Sequence, residues 1–406
     1  AALPAHHSPG AATNSDDAAG AAIKAVKEQL LAIPDHGIGY GMLRYLDPGD
    51  SAGLRRFRPP QLSFNYLGRV ATSAGDVPWV PVADSGDLGG TQNHDMPAAW
   101  VVDVNAATTV RDGAPVLTAT WSYPTGVLAA GDVEELAALW VRALTALAEH
   151  AGTPGAGGLT PSDLDLVSVG QADIDRLERT YPDLADIWPL SPLQAGLLFH
   201  AQLSEHRLDA YQVQLVLDLR GTVDPARLRR AAQGLLDRHA NLRVAFPDTG
   251  NGPVQVVLDS AIAPWTDVDV SDLDDTAFLA ADRAVPFEMS EAPLLRFTLL
   301  RTAPDRHRLV LTHHHILLDG WSTPLVIKDL LVLYATDGDP TALPRVTPYR
   351  DYLQWIGRQA HERSTPAWVS ALAGADEPTF VAPAAHGEQS FAEPEDVRLE
   401  VGEEKT

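Results

Sequence analysis

The chain has 406 residues, 45% of them apolar, and 30 basic against 54 acidic side chains give it a net charge of -24. That length and apolar content predict a soluble globular protein with two or three cores, and the acidic balance leaves no Lys/Arg stripe for nucleic acid or an anionic membrane surface. With no cysteine, disulfides, thiolate metal sites and a Cys nucleophile are excluded and a cytoplasmic location is expected. No run reaches the roughly 20 apolar residues of a membrane span, and no signal peptide is recognisable. Because the sequence opens on Ala1 rather than Met, a piece of something longer is expected.

In chain order, residues 1–20 are rich in Ala, Gly, Ser, Asp and Pro without periodicity and read as a loop, His6-His7 included. Ile23, Val26, Leu30 and Ile33 recur at helical spacing up to Pro34 and predict a short packed helix. Leu62 to Gly68, Ala99 to Val104 and Leu117 to Tyr123 read as strands. A helix from Val133 to His150, with Leu136, Leu139, Trp140, Leu144 and Leu147 on one face, closes this α+β unit. Ala151 to Gly158 supplies turns but no buried face.

A second unit shows an alternating strand (Tyr211, Val213, Leu215, Leu217, Leu219) and a helix capped by Asp224 with Pro225 in its first turn. That helix carries Leu228, Ala231, Leu235 and Leu236. Strands are predicted near Leu294 to Leu300 and Leu309 to His315, and the tail beyond Ala360 is mixed, with Pro378-Thr379-Phe380 and the alternating Val397, Leu399 and Val401.

Chemistry concentrates in His313-His314-His315-Ile316-Leu317-Leu318-Asp319-Gly320-Trp321-Ser322, where a buried strand gives way to a capped helix. Alternation sends His313 and His315 to one face of the strand and His314 to the other. A histidine at such a turn is a candidate general base, because an imidazole with its ordinary pKa of about 6.5 is neutral at cytosolic pH. Asp319 either orients the ring or fixes the turn by pairing with an Arg elsewhere. Three alternatives stand beside this reading. The histidines can be purely structural; His313 and His315 can form part of a metal site, although no third ligand stands at a recognisable spacing; and Ser322 can be a nucleophile, although its place is that of a helix cap and no Gly-x-Ser-x-Gly surrounds it.

The pattern His-His-x-x-x-Asp-Gly-Trp-Ser resembles the active-site signature of condensation domains of nonribosomal peptide synthetases. Four further segments stand in that family's order: Leu190 to His200 (LSPLQAGLLFH), Arg238 to Phe246 (RHANLRVAF), Pro286-Phe287 before Pro293-Leu294-Leu295-Arg296, and Tyr349 to Trp355 (YRDYLQW). Ala240 stands where the family more usually has Glu. In the first unit, Gly37 to Leu46 and Ser63 to Arg69 resemble the end of an epimerization domain, a relative of the same fold.

The resemblance implies an α+β fold of chloramphenicol-acetyltransferase-like lobes, mixed β-sheets packed by helices. It divides the chain into a loop (1–20), the C-terminal lobe of an epimerization-like domain (21–158), a linker (159–182), the N-terminal lobe of a condensation domain (183–360) and a crossover toward a second lobe (361–406). It further implies peptide-bond formation in secondary-metabolite or antibiotic biosynthesis, between a donor peptidyl thioester that ends in a D-residue and an acceptor aminoacyl thioester. Both would ride on the phosphopantetheine of partner carrier proteins beside adenylation domains, with no cofactor or metal bound directly. His315 would deprotonate or position the acceptor amine, with His314, Asp319 and Gly320 completing the site. Asp319 would hold the turn through a buried ion pair with Arg243, and Gly320 would permit close backbone approach. A single lobe of each domain further implies an isolated chain that is inactive, or one that serves only to dock carrier domains.

Overall fold

A computed structural model of the chain describes residues 16–69, 97–375, 397 and 399, apart from short gaps at 48, 50, 55, 59, 112–113, 154–155, 204–209, 271–274 and 360. His6-His7, Pro378-Thr379-Phe380 and Val401 lie outside the described residues. The chain divides into two compact units, Ala1–Tyr349 and Arg350–Thr406.

The first unit opens with α1 (Asp16–Leu31). This helix starts inside the stretch expected as loop, because Ala18, Ala19, Ala21 and Ala22 are the best helix formers. Its expected packing face is not buried: Ile23, Val26 and Leu30 are each at least 40% exposed. The helix buries Ala19 instead, and ion pairs add to that contact. Lys24 Nζ lies 2.8 Å from both Asp175 and Glu178, and Lys27 pairs with Asp163. After the short helices α2 (Ile38–Tyr45) and α3 (Ser51–Leu54), the strands β1 (Leu62–Arg69), β2 (Val102–Arg111) and β3 (Ala114–Ser122) form a mixed sheet in that order. β1 runs parallel to β2, and β3 antiparallel to it. α4 (Ala130–Ala151) brings Trp140 to Phe64 and edge-on to Trp121, with ring centroids 6.5 and 6.0 Å apart.

The segment 159–182, expected as a linker, is structured and partly buried. It holds α5 (Gln171–Thr180), whose Ile174 and Leu177 are fully buried among Ile187, Val254 and Val256. Two apolar residues three apart suffice to anchor a helix that is otherwise charged. Next come β4 (Leu184–Trp188), α6 (Pro192–Leu203), β5 (Gln212–Arg220) and α7 (Pro225–Arg238). As expected, Asp224 caps α7 by accepting from the Arg227 N–H at 3.1 Å, with Pro225 in the first turn. The expected α7 face, Leu228, Ala231, Leu235 and Leu236, is buried.

Short strands β6 (Val244–Ala245) and β9 (Gln255–Leu258) join β4 in a three-stranded sheet of order β4-β9-β6, and β7 (Asp248–Thr249) and β8 (Gly252–Pro253) make a hairpin. β10 (Trp265–Asp269), α8 (Asp275–Arg283), β11 (Leu295–Ala303), β12 (Arg306–His314) and α9 (Ser322–Ala335) follow. The sheet that carries the histidines has the order β10-β11-β12-β5, parallel at its first pair and antiparallel at the others. Consecutive residues Phe297 to Leu300 and Leu309 to Thr312 are all buried, so both faces of this sheet are covered. One face meets α8, where Phe278 and Leu279 pack on Val270, Leu300 and Val310. α7 and α9 pack on each other, with Gly234 approaching Leu333 closely enough that an added Cβ would lie 3.5 Å from its side chain. The observed mixed sheets and helices make the chain α+β, as expected.

The second unit contains the rest of α10 (Tyr349–Gly357), which begins at the last residue of the first, and α11 (His361–Ala371).

Candidate active site

β12 delivers the histidines to a turn that is pinned on both sides. His313 lies opposite Leu295 of β11 and Val213 of β5. Beyond those pairs, the His314 N–H donates to the Leu294 carbonyl at 3.0 Å and the His315 N–H to the Tyr211 carbonyl at 2.8 Å. The strand ends at His314, so His315 opens the turn instead of closing the strand. The chain then folds back on itself: the N–H of Leu317 donates to the His314 carbonyl at 3.1 Å, and the N–H of Ile316 to His314 Nδ1 at 3.1 Å.

Those partners fix which ring nitrogens carry protons. A carbonyl oxygen only accepts, so His315 Nδ1, 2.6 Å from the Leu318 carbonyl, is the protonated nitrogen of the neutral ring. Its Nε2 then holds the lone pair, and His315 itself is half-buried. His314 has the opposite tautomer, because its Nδ1 accepts from a backbone N–H. His313 donates from Nδ1 to the His314 carbonyl at 3.1 Å, and its Nε2 is buried with no hydrogen-bond partner among the described residues. Burial, together with the neighbouring histidines, holds the His313 pKa below its ordinary value. The three rings therefore differ: His313 and His314 are buried, and His315 is half-buried with its Nδ1 on the Leu318 carbonyl. Among the described residues no group of three His, Asp or Glu is placed to hold a metal ion.

Asp319 holds the turn, but not as expected. Its Oδ1 accepts from the Ser322 N–H at 2.8 Å and from the Ser322 hydroxyl at 2.6 Å, and these two bonds lead the causes that lower its pKa. It thus fastens the turn to the first residues of α9, aided by Thr323 Oγ1 donating to its carbonyl at 3.0 Å. The expected ion pair with Arg243 is incorrect. The Arg243 guanidinium donates to the Leu258 carbonyl at 3.0 Å, the Asp237 carbonyl at 2.8 Å and the Leu236 carbonyl. Two of these are the last carbonyls of α7, which have no partner within their own helix and attract a cation. Its two chain neighbours aside, no atom of the described residues lies within 4 Å of the position a Cβ would take at Gly320.

The other recognised segments brace this turn from a distance. Arg238 Nε and His239 Nε2 meet the same carboxylate oxygen of Asp329, at 3.0 and 2.9 Å, and so tie the end of α7 to α9. Arg296 pairs with Asp282 at 2.8 Å and lies over the Phe287 ring at 4.6 Å. Asp282 also accepts from Thr312 and Gln214; burial opposes its charge, and these bonds outweigh it and lower its pKa. In LSPLQAGLLFH, Ser191 and Gln194 form a reciprocal cap of α6: the Ser191 N–H donates to Gln194 Oε1 at 3.0 Å, and the Gln194 N–H to Ser191 Oγ at 3.2 Å. The Gln194 side chain reaches on to Gln255 and to the Ile316 carbonyl, two contacts the sequence reading missed. Ser-x-x-Gln is a legible cap signal. The distant partners of the glutamine have no signal in the sequence.

Comparison with known proteins places this geometry in a family. The condensation-domain family model matches residues 184–405, more than half of the chain. The chain belongs to the condensation-domain family. It is 36% identical to a linear gramicidin synthase polypeptide of Brevibacillus parabrevis over 89% of its own length and 5% of the relative's. It is 29% identical to bacitracin synthase 3 of Bacillus licheniformis over 87% of its length and 6% of the relative's. The chain thus spans only a small fraction of the curated relatives it matches. Among solved structures, the starter condensation domain of rhizomide synthetase aligns with a TM-score of 0.43 and 22% identity, over 48% of this chain and 50% of that one.

Proposed function

We propose that this chain is part of a nonribosomal peptide synthetase and that its histidine turn forms peptide bonds between carrier-bound substrates. The observation that carries this reading is the 2.6 Å contact between His315 Nδ1 and the Leu318 carbonyl: with Nδ1 as the donor there, Nε2 is the nitrogen that can accept the amine proton. The acceptor amine attacks the donor thioester carbonyl, a C–N bond forms, the C–S bond breaks, and the amine proton passes by way of His315 Nε2 to the departing thiol. Both substrates would be held on phosphopantetheine arms of carrier proteins charged by adenylation domains. His314 lends the turn its shape, Asp319 fastens it to the helix behind it, and Gly320 leaves room beside it. The epimerization-like residues Gly37 to Leu46 and Ser63 to Arg69 support a donor that ends in a D-residue.

His315→Ala in the parent synthetase tests the proposal. Condensation should fall by about 10²- to 10⁴-fold, measured as dipeptide released from preloaded carriers, while carrier loading stays intact. Unchanged dipeptide formation refutes a role for His315. A parent that loads and binds carriers but never condenses points to a docking or scaffold module instead.

A further inference from the structure

Gln194 lies on α6, 122 residues before Ile316 in sequence, and its side chain is almost fully buried. Each of its amide atoms has a fixed role. Oε1 accepts from the Ser191 N–H, a group that can only donate, so the other atom is Nε2, and it faces the Ile316 carbonyl at 3.3 Å, a group that can only accept. Gln255, which has no exposed surface, closes the arrangement: its amide pairs reciprocally with that of Gln194 at 3.1 Å, and its Nε2 also donates to the Pro189 carbonyl at 2.6 Å. Both donor and acceptor ends of the Gln194 amide are thereby used in a buried setting, where leaving either unpaired is costly.

The Ile316 peptide is the centre of the turn. Its N–H side holds His314 Nδ1, and two residues further on Leu318 supplies the carbonyl that selects the His315 tautomer. We infer that Gln194 is a positioning residue for His315. Its amide, held by Gln255, fixes the Ile316 carbonyl and so keeps the Leu318 carbonyl aimed at His315 Nδ1. This rests on the proposed role of His315 in condensation. Gln194 touches no reacting atom and acts only through the turn.

The test separates the donor function of Gln194 from its capping function. Gln194→Glu keeps the shape and the acceptor for Ser191 and, as the carboxylate, cannot donate to Ile316; Ser191→Ala removes the cap hydroxyl and leaves that donation in place. Imidazole ¹⁵N spectra of the full chain, assigned for His315 by comparison with His315→Ala, read the tautomer at pH 8. In the unsubstituted chain and in Ser191→Ala, His315 should be the Nδ1–H form; in Gln194→Glu it should shift to a mixture with substantial Nε2–H. If Gln194→Glu fails to fold, Gln194→Met, which removes the donor to Ile316 and the acceptor for Ser191 together, is read for the same shift with Ser191→Ala as the cap control. An unchanged His315 spectrum in the Gln194 variants, or an equal shift in Ser191→Ala, overturns the inference. In the parent synthetase, Gln194→Glu should lower kcat for condensation about 10- to 100-fold, the scale of a small misplacement of a reacting group, with KM for the loaded carriers within about twofold. Should His315→Ala leave condensation untouched, the proposed function falls, and the tautomer still decides whether Gln194 positions the ring.

Discussion

The N-terminal three-stranded sheet and the four-stranded histidine sheet are made of similar material, and they differ in what they bury. Leu62, Phe64, Tyr66 and Leu67 of β1 are all more than half exposed, and within that sheet burial is concentrated at Val102, Val104 and Ala106 of β2. In the histidine sheet Phe297, Leu299, Leu300, Leu309, Val310 and Leu311 are at most 3% exposed. Strand periodicity is present in both, so the pattern of a strand reports which residues share a face and not whether that face is covered. The reactive turn belongs to the covered sheet. A turn that must hold one histidine tautomer needs a frame whose side chains are locked by packing on both faces.

The largest expected effect tests this contrast directly. Leu235→Ala in α7, at a site with no exposed surface, should cost about 2 to 5 kcal/mol in urea unfolding of the full chain. Leu139→Ala in α4, where the leucine is 40% exposed, should cost less than about 1 kcal/mol. Equal losses would mean that the two regions are equally packed in solution and that the difference in burial has no energetic consequence.

A smaller effect sharpens the comparison through pH. His313 lies within the covered sheet and its pKa is lowered, chiefly by burial. The unfolded chain, with an ordinary histidine pKa of about 6.5, binds the proton at a higher pH than the folded one does. Stability is therefore full above about 6.5, falls as pH drops below it, and has lost its whole His313 share once the lowered folded pKa is passed. His239, also lowered mainly by burial, adds a loss of the same sign. His313→Phe should flatten the fall of Tm between pH 7 and 5 without abolishing it. An unaltered slope would show that His313 is not buried neutral, and the frame of the turn would be wetter than its burial indicates.

What could be read from the sequence follows from the range of each interaction. Asp224-Pro225 and the buried α7 face are legible because a cap and a helical stripe are local devices. The strand-turn-helix around His315 is legible for the same reason; the partner of Asp319, which is Ser322 rather than Arg243, is not. Arg243 is not its partner because Ser322 satisfies the carboxylate from three residues away, while the guanidinium is consumed by carbonyls of its own neighbourhood. The segment 159–182 reads as a linker because its charge hides two anchoring residues, Ile174 and Leu177. The contact between Gln194 and Ile316 cannot be read at all. An amide has no pattern in sequence that names a carbonyl 122 residues away.

The smallest structural effect is expected at Gly320, and it separates the demands of the fold from those of the reaction. Its backbone does not occupy the positive-φ region that favours glycine, and, its two chain neighbours aside, an added Cβ would meet no atom of the described residues within 4 Å. Gly320→Ala should therefore change unfolding free energy by no more than about 0.5 kcal/mol, whereas an interior residue of the histidine sheet has no such tolerance. The fold leaves this space unused beside Asp319 and the exposed Trp321. If condensation by the parent synthetase drops more than about tenfold in Gly320→Ala at unchanged stability, about 1.4 kcal/mol of transition-state binding depends on that space, and substrate is what fills it. If condensation is unchanged as well, nothing approaches the backbone there, and Gly320 belongs to the turn without belonging to the site.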